Sequence, residues 1–422
     1  MSSFELAALF LGLVALGGWV NARTVKLPHG VAMLFVGLAG ALVLLGLRWV
    51  WPGAASEALA ALGRVNFARA LLGYMLAFLL FAGAMQVDFG ELRRRRLSVL
   101  TLATLGVVAT TAVVGVGLWL AAGWLGLALP LRWALVFGAL ISPTDPIAVL
   151  ATVKGASLSK SLQAILQGEA LFNDGVGIVV FTALVAFAAG AAPSPLGALG
   201  GVVVQAAGGL ALGSLASLLV LRAMRAIDDF AVEVSLSLAL AMGVYAGAQA
   251  LHLSGPIAVV GAGLLIGDVR ARSAMSQTTQ TYLRNFWTLV DEILNALLFL
   301  LLGLQLFEVR LEPQEAGVCA AAAVLVLGAR FAVVLPWGAY LHLRHEERGA
   351  SLILAWGGLH GALSLALALS LPAGSERPVI LAATYVTAIV SVALQGLTFG
   401  PLTRALHRRG GGAPRPRVGP ST

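Results

Sequence analysis

Asp145 lies in Ile141-Ser142-Pro143-Thr144-Asp145-Pro146, and Asp174 in Gly168-Glu169-Ala170-Leu171-Phe172-Asn173-Asp174-Gly175. Both sit within stretches otherwise apolar enough to lie in a bilayer. A carboxylate near the middle of a membrane costs at least ~2.5–3.5 kcal/mol on insertion scales, so one kept there handles ions or protons. Around Asp174 the spacing separates two jobs. Glu169 and Asn173 are four residues apart and share a helix face. Asp174 is five residues from Glu169, roughly 140° further round the helix. Glu169 needs a partner in a medium of low dielectric, and Arg330 is the one basic residue deep in an apolar stretch. We therefore expect a structural Glu169–Arg330 ion pair, of the kind that costs ~3–5 kcal/mol to break from one side. Asp174 is left without an obvious cationic partner, so it can hold either a proton or a cation. That competition is the physical basis of exchange.

The elements that must position these groups are transmembrane helices. Of the 422 residues 59% are apolar and only 11% charged, and mean hydropathy is +0.94. Soluble domains carry about 25% charged residues. The composition predicts an all-α polytopic membrane protein with no soluble domain of useful size. A net charge of +8 could suggest nucleic acid, but the basic residues are scattered through short loops, which fits membrane topology and not a nucleic-acid partner. The single cysteine, Cys319, offers neither a disulfide nor a metal cluster. The start, Met1-Ser2-Ser3-Phe4-Glu5, lacks a basic segment and reads as a first span rather than a cleaved signal.

Thirteen spans are predicted: 4–20, 30–50, 68–87, 97–125, 131–153, 160–190, 197–222, 231–251, 254–268, 286–307, 315–341, 349–371 and 378–405. The ninth is short for a full crossing and is expected to be tilted or pressed against protein. The membrane domain covers 1–407, and the glycine- and proline-rich tail 408–422 is expected to be disordered and cytoplasmic. With the N-terminus outside, twenty of the 27 lysines and arginines fall in inner loops or the tail, six fall outside, and Arg330 remains within a span. Such asymmetry predicts an outside N-terminus and a cytoplasmic C-terminus. Arg93 to Arg96 serve as an inner anchor.

Two spans are interrupted near their centres, the fifth by Pro143 and Pro146 and the twelfth by Gly357-Gly358-Leu359-His360-Gly361. Paired interruptions of this kind point to a transporter site built from discontinuous helices. Asp145, Asp174, Arg330 and His360 all fall near the midpoints of their spans and should converge on one polar site. Asn173 fits two roles, a helix–helix hydrogen bond and ion coordination. Thr144 can bond back to its own helix, or offer its carbonyl to a cation. Asp291 and Glu292 begin an apolar run and read as helix-terminus groups compensating the dipole rather than as transport residues. His252, His342, His345 and His407 read as solvated.

Four segments together resemble the monovalent cation:proton antiporter-1 family of sodium/proton exchangers. They are Ser142-Pro143-Thr144-Asp145-Pro146, Gly168–Gly175, Trp356-Gly357-Gly358-Leu359-His360-Gly361-Ala362 and Leu394-Gln395-Gly396-Leu397-Thr398. The resemblance covers nearly the whole membrane region, in family order. It implies thirteen helices in two inverted repeats, a core domain beside a dimerisation domain, and elevator-like alternating access as a homodimer in the bacterial cytoplasmic membrane. It also implies that Asp174 is the transport carboxylate and Na⁺ ligand. Thr144 (through its backbone carbonyl), Asp145 and Asn173 would shape the site, and Glu169 with Arg330 would support it. Members with an asparagine before the aspartate exchange one proton per cation, which matches a single unpaired carboxylate. No cofactor is implied.

Three positions depart from the family pattern. Ala170 stands where a serine or threonine hydroxyl is common, and Ala82 where some members carry glutamate. His360 replaces the arginine of Gly-Leu-Arg-Gly. In the family that arginine balances the carbonyl ends of the broken half-helices, as Asp145 balances the amide ends. Histidine would do so only when protonated, making transport pH-sensitive; the simpler alternative is a neutral, hydrogen-bonded ring. Na⁺/H⁺ antiport, with Li⁺ as a further substrate, is the leading function. A K⁺/H⁺ exchanger follows, given the two missing oxygen ligands, and a cation channel is third. No enzyme is expected: the chain has no metal-binding histidine motif, nucleophile elbow or nucleotide loop.

Overall fold

The long apolar runs all become helices. In the computed structural model, which describes every residue except 1–2, 64–65, 146–157, 191–194, 269–274, 309–312, 346–348 and 411–422, ten helices are long and apolar enough to cross a membrane. The other three predicted spans fall on shorter helices. The fifth is Leu131–Ile141, the ninth Gly255–Gly267, and the twelfth the pair Ala350–Trp356 and Ala362–Leu369. The ninth has 13 residues, a rise of about 20 Å against a hydrocarbon core of ~30 Å. Twelve of them are buried, so it is pressed into protein as expected. Pro146 and the rest of the predicted fifth span lie outside the described residues, as does most of the tail. The last helix runs on to Gly410.

Two boundaries differ instructively. Trp51-Pro52-Gly53, expected to be a plain break, opens the short helix Pro52–Gly63, because proline is well suited to the first helical turn. The tenth span begins at Gln277, not 286, capped by the Ser276 hydroxyl, which accepts the Thr279 N–H at 3.3 Å. Hydropathy marks where apolar residues begin; the cap marks where the helix begins. Asp291 and Glu292 therefore lie mid-helix, and the reading of them as terminus-capping groups is overturned.

By packing, the helices sort into two groups. The first, second, third, seventh, eighth, ninth and tenth spans pack mainly with one another, the second against the tenth and the ninth against the third and seventh. The fourth, fifth, sixth, eleventh, twelfth and thirteenth form the other group. The acidic sixth span (Lys160–Ala188) belongs to the second group but also touches the third and ninth spans of the first.

Candidate ion-binding site

Where the fifth span stops, sequence chemistry explains it. The helix ends at Ile141, two residues before Pro143, which has no N–H to continue the ladder. The chain then leaves the helix after Ser142 and runs without helical structure to Asp145. In the twelfth span Gly357 and Gly358 lower helix propensity, and the chain stays non-helical until Gly361. The two interruptions cross: the Asp145 N–H donates to the Leu359 carbonyl at 2.7 Å, an antiparallel bridge. Gly177 lets the sixth span come against this crossing, since a β-carbon there would lie 2.5 Å from the Pro143 ring.

Backbone groups freed in a membrane cost several kcal/mol each unless satisfied, and the side chains at the crossing are arranged to satisfy them. The Asp145 carboxylate lies beside Gly361, at the amide end of the half-helix Ala362–Leu369, where a negative charge is favoured. The His360 ring faces the carbonyl oxygens of Pro143 and Ile141 at the end of the first half of the fifth span, with Nδ1 3.3 Å from Pro143 O. Arg330 and Gln395 serve the carbonyl end of Ala350–Trp356. Arg330 Nη2 donates to Leu354 O at 3.1 Å, and Gln395 Nε2 donates to Trp356 O at 3.2 Å. The Ser391 hydroxyl accepts the His360 N–H at 2.9 Å. Ser391 and Gln395 face this point together from a local i→i+5 turn, Ser391–Gln395, in the last span. Gln395 was visible in the sequence only as part of a motif, and Ser391 not at all.

The predicted ion pair forms. Arg330 makes a bidentate contact to Glu169, through Nη1 to Oε1 and through Nη2 to Oε2 at 2.9 Å, with both side chains buried. Gly358 packs directly under the guanidinium, so that a β-carbon would come within 2.5 Å of Arg330 Nε. The sequence reading foresaw the pair but not that Arg330 also caps the broken twelfth span.

Asn173 donates from Nδ2 to the Thr144 hydroxyl at 2.8 Å, while its Oδ1 has no partner among the described residues. The predicted hydrogen bond is thus present, and it fixes Thr144 in the interrupted segment. Asp174, one residue on, points elsewhere. With Thr144 and Asp145 it lines a cavity of about 120 Å³. Asp174 has no hydrogen bond or ion pair among the described residues, and the Asp145 carboxylate is near enough for the two charges to interact. Ala170 lines the same cavity, so the absent hydroxyl would have faced the site; Ala82 is fully buried elsewhere in the core. The opposite wall comes from the first packing group: Gln86 of the third span, and Asp291 and Asn295 of the tenth.

The chain as a whole, with the acidic cavity at this crossing, was compared with known proteins. The model of the family described as "Sodium/hydrogen exchanger, transmembrane" matches residues 11–405. The chain belongs to the sodium/hydrogen exchanger family. This exchanger is 41% identical over 413 residues to the Na⁺/H⁺ antiporter NhaP of Pseudomonas aeruginosa, covering 96% of this chain and 97% of that one. It is 33% identical over 390 residues to the Na⁺/H⁺ antiporter NhaH of Halobacillus aidingensis, covering 91% and 93%. Among solved structures it is similar to the sodium proton antiporter MjNhaP1 of Methanocaldococcus jannaschii, with TM-score 0.72 and 21% identity over 96% of this chain and 99% of that one. That likeness supports the fold. The exchanger is a transporter by family and not an enzyme.

Proposed function

We propose that the protein is a secondary antiporter that exchanges Na⁺ for H⁺, one for one, with the two ions competing for Asp174. The observation that carries this reading is Asp174 itself, a carboxylate lining a membrane cavity with no ion pair or hydrogen bond among the described residues. Glu169, by contrast, is fully engaged with Arg330. Thr144, held by Asn173, supplies oxygen beside Asp174, and Asp145 balances the amide end of the twelfth-span half-helix. The names of the relatives agree with Na⁺/H⁺ antiport.

Gln86 is the last residue of the third span, at the end that the lysine and arginine distribution assigns to the cytoplasm, and it meets Asp291 midway along the tenth. The arrangement therefore fits an inward-facing state of a bacterial cytoplasmic membrane protein, with the N-terminus outside and the C-terminus inside. The two packing groups fit a moving core against a fixed scaffold, as two inverted repeats with elevator-like alternating access require. The first and seventh spans, each only 17% buried over their most apolar windows, leave surface for lipid or for the second copy of a homodimer.

A K⁺/H⁺ reading draws on Ala170, which removes an oxygen from the cavity wall. Purified protein in liposomes with a pH dye inside, challenged with Na⁺, Li⁺ and K⁺ across a pH series, separates these. Proton flux driven by Na⁺ and Li⁺ is expected. Flux driven by K⁺ alone would select the second reading, and voltage-driven current without proton movement would make the protein a channel.

His360 carries a separate expectation. Its Nδ1 meets the Pro143 carbonyl, and Arg330 packs against the same break, so a ring without net charge satisfies the carbonyl end and avoids setting a second cation beside the guanidinium. His360→Arg should leave the pH profile of exchange coincident with that of the parent. A displaced profile would assign His360 to proton sensing.

A further inference from the structure

Ala170 and Asp174 are four apart and share a helix face, so the ion cavity lacks a hydroxyl on the very face that carries the acid. The twelfth span brings a hydroxyl to the same cavity. Ser364 lines it, is 1% exposed, and its Oγ has no hydrogen-bond partner among the described residues. Other buried hydroxyls in these helices turn back to a carbonyl of the preceding turn. Thr111 donates to Val107 O and Ser217 to Gly213 O, both at 2.8 Å, and Thr384 donates to Ile380 O at 2.7 Å. Ser364 has no full turn behind it. Four residues earlier stands His360, in the interruption, and the half-helix begins only at Ala362. The break that places Asp145 therefore also frees this hydroxyl. Gly361, three residues before Ser364 and on the same face, lies against the Asp145 carboxylate: a β-carbon there would be 3.3 Å from Oδ2. Asp145 in turn is near enough to Asp174 for their charges to interact. Leaving a buried hydroxyl unpaired is costly, and here it sits in a cavity that already holds two acids.

We propose that the Ser364 hydroxyl is an oxygen ligand for the monovalent cation that Asp174 binds, standing in for the hydroxyl absent at position 170. Hard cations take oxygen ligands, and a serine oxygen carries two lone pairs that can accept one. Serine keeps its proton while Asp174 gains and loses its own, so the hydroxyl sets cation affinity and leaves proton exchange to Asp174. It also returns to the site the oxygen whose loss favours the K⁺ reading. The inference rests on the antiport reading above.

The test is a Na⁺ concentration series of dye-reported exchange by the full chain in liposomes, comparing the parent with Ser364→Ala and with Ser364→Ala/Ala170→Ser. Ser364→Ala is expected to raise the apparent KM for Na⁺ about three- to tenfold, the size of one lost polar contact. KM should change by a larger factor than the maximal rate, and melting in detergent should match the parent, since Oγ bonds to nothing in the fold. Restoring a hydroxyl from the other helix should bring the double variant back to within about twofold of the parent KM, the coupling expected of two positions serving one ion. Unchanged KM in Ser364→Ala would mean that the hydroxyl meets only water in the cavity, and would reject the assignment. A lower melting temperature or maximal rate without a change in KM would give Ser364 a structural role and reject it too. A raised KM that Ala170→Ser fails to lower would show that the two positions are not interchangeable, which also overturns it. A parent protein that shows no Na⁺-driven flux would instead overturn the antiport reading, so the two failures are distinguishable.

Discussion

Asp174→Asn is expected to reduce cation-driven proton flux to the leak of protein-free liposomes, at every pH and with every cation. Asparagine keeps the shape and volume of the side chain and can still hydrogen-bond, so the cavity it shares with Thr144 and Asp145 should survive. What it loses is the one property the mechanism uses. A carboxylate is negative with a cation bound and neutral with a proton bound; an amide is neutral always and has no proton to exchange. Because Asp145 sits at a helix amide end and Glu169 is locked to Arg330, neither can substitute. In the parent the competition has a fixed sign. Lowering the pH protonates more of the Asp174 population, so the apparent KM for Na⁺ should rise as pH falls while the maximal rate changes little. Flux that persisted in Asp174→Asn, on protein shown to be folded by its elution and melting behaviour, would remove the basis of the proposed exchange.

How much of this was legible beforehand depended on the kind of signal. Helices in a bilayer are dictated by apolar length, and the spans were readable to within a few residues wherever apolar runs and helices coincide. The tenth span was misplaced because its first turns are polar and only Ser276 marks its start. That error also hid Asp291: placed at a helix end it looked like a cap, whereas in mid-helix it faces the ion cavity. The Glu169–Arg330 pair was legible because a single base lies deep in an apolar stretch, and Glu169, on a different helix face from Asp174, needs a partner there. Ser391 and Gln395 were not, since an ordinary serine and glutamine in an apolar span carry no hint that a broken helix elsewhere in the chain needs their hydrogen bonds. Side-chain partners for interrupted backbone are a tertiary property. Sequence periodicity shows the interruption but not what heals it.

Arg330→Met should have the largest effect on stability rather than on chemistry alone. The guanidinium meets three demands at once: it neutralises the buried Glu169, caps the Leu354 carbonyl, and fills the space over Gly358. Removing it strands a carboxylate in low dielectric, a change that costs about 3–5 kcal/mol for buried pairs, and leaves a half-helix carbonyl unsatisfied besides. A large loss of folded yield and a markedly lower melting temperature in detergent are expected. Glu169→Gln should cost less, because the amide still accepts a hydrogen bond from Arg330 while the guanidinium keeps its bond to Leu354. The double variant Arg330→Met/Glu169→Gln is the discriminating case. If the damage comes from the stranded charge, the double variant should melt above Arg330→Met, the non-additivity that marks two groups in direct contact. If it comes mainly from the uncapped Leu354 carbonyl, the double variant should be no better than the single. Gly358→Ala should reproduce part of the defect with both charges still in place, since its β-carbon would push into the guanidinium. Parent-like melting of Arg330→Met would show that the ion pair is not what holds the two interrupted helices together.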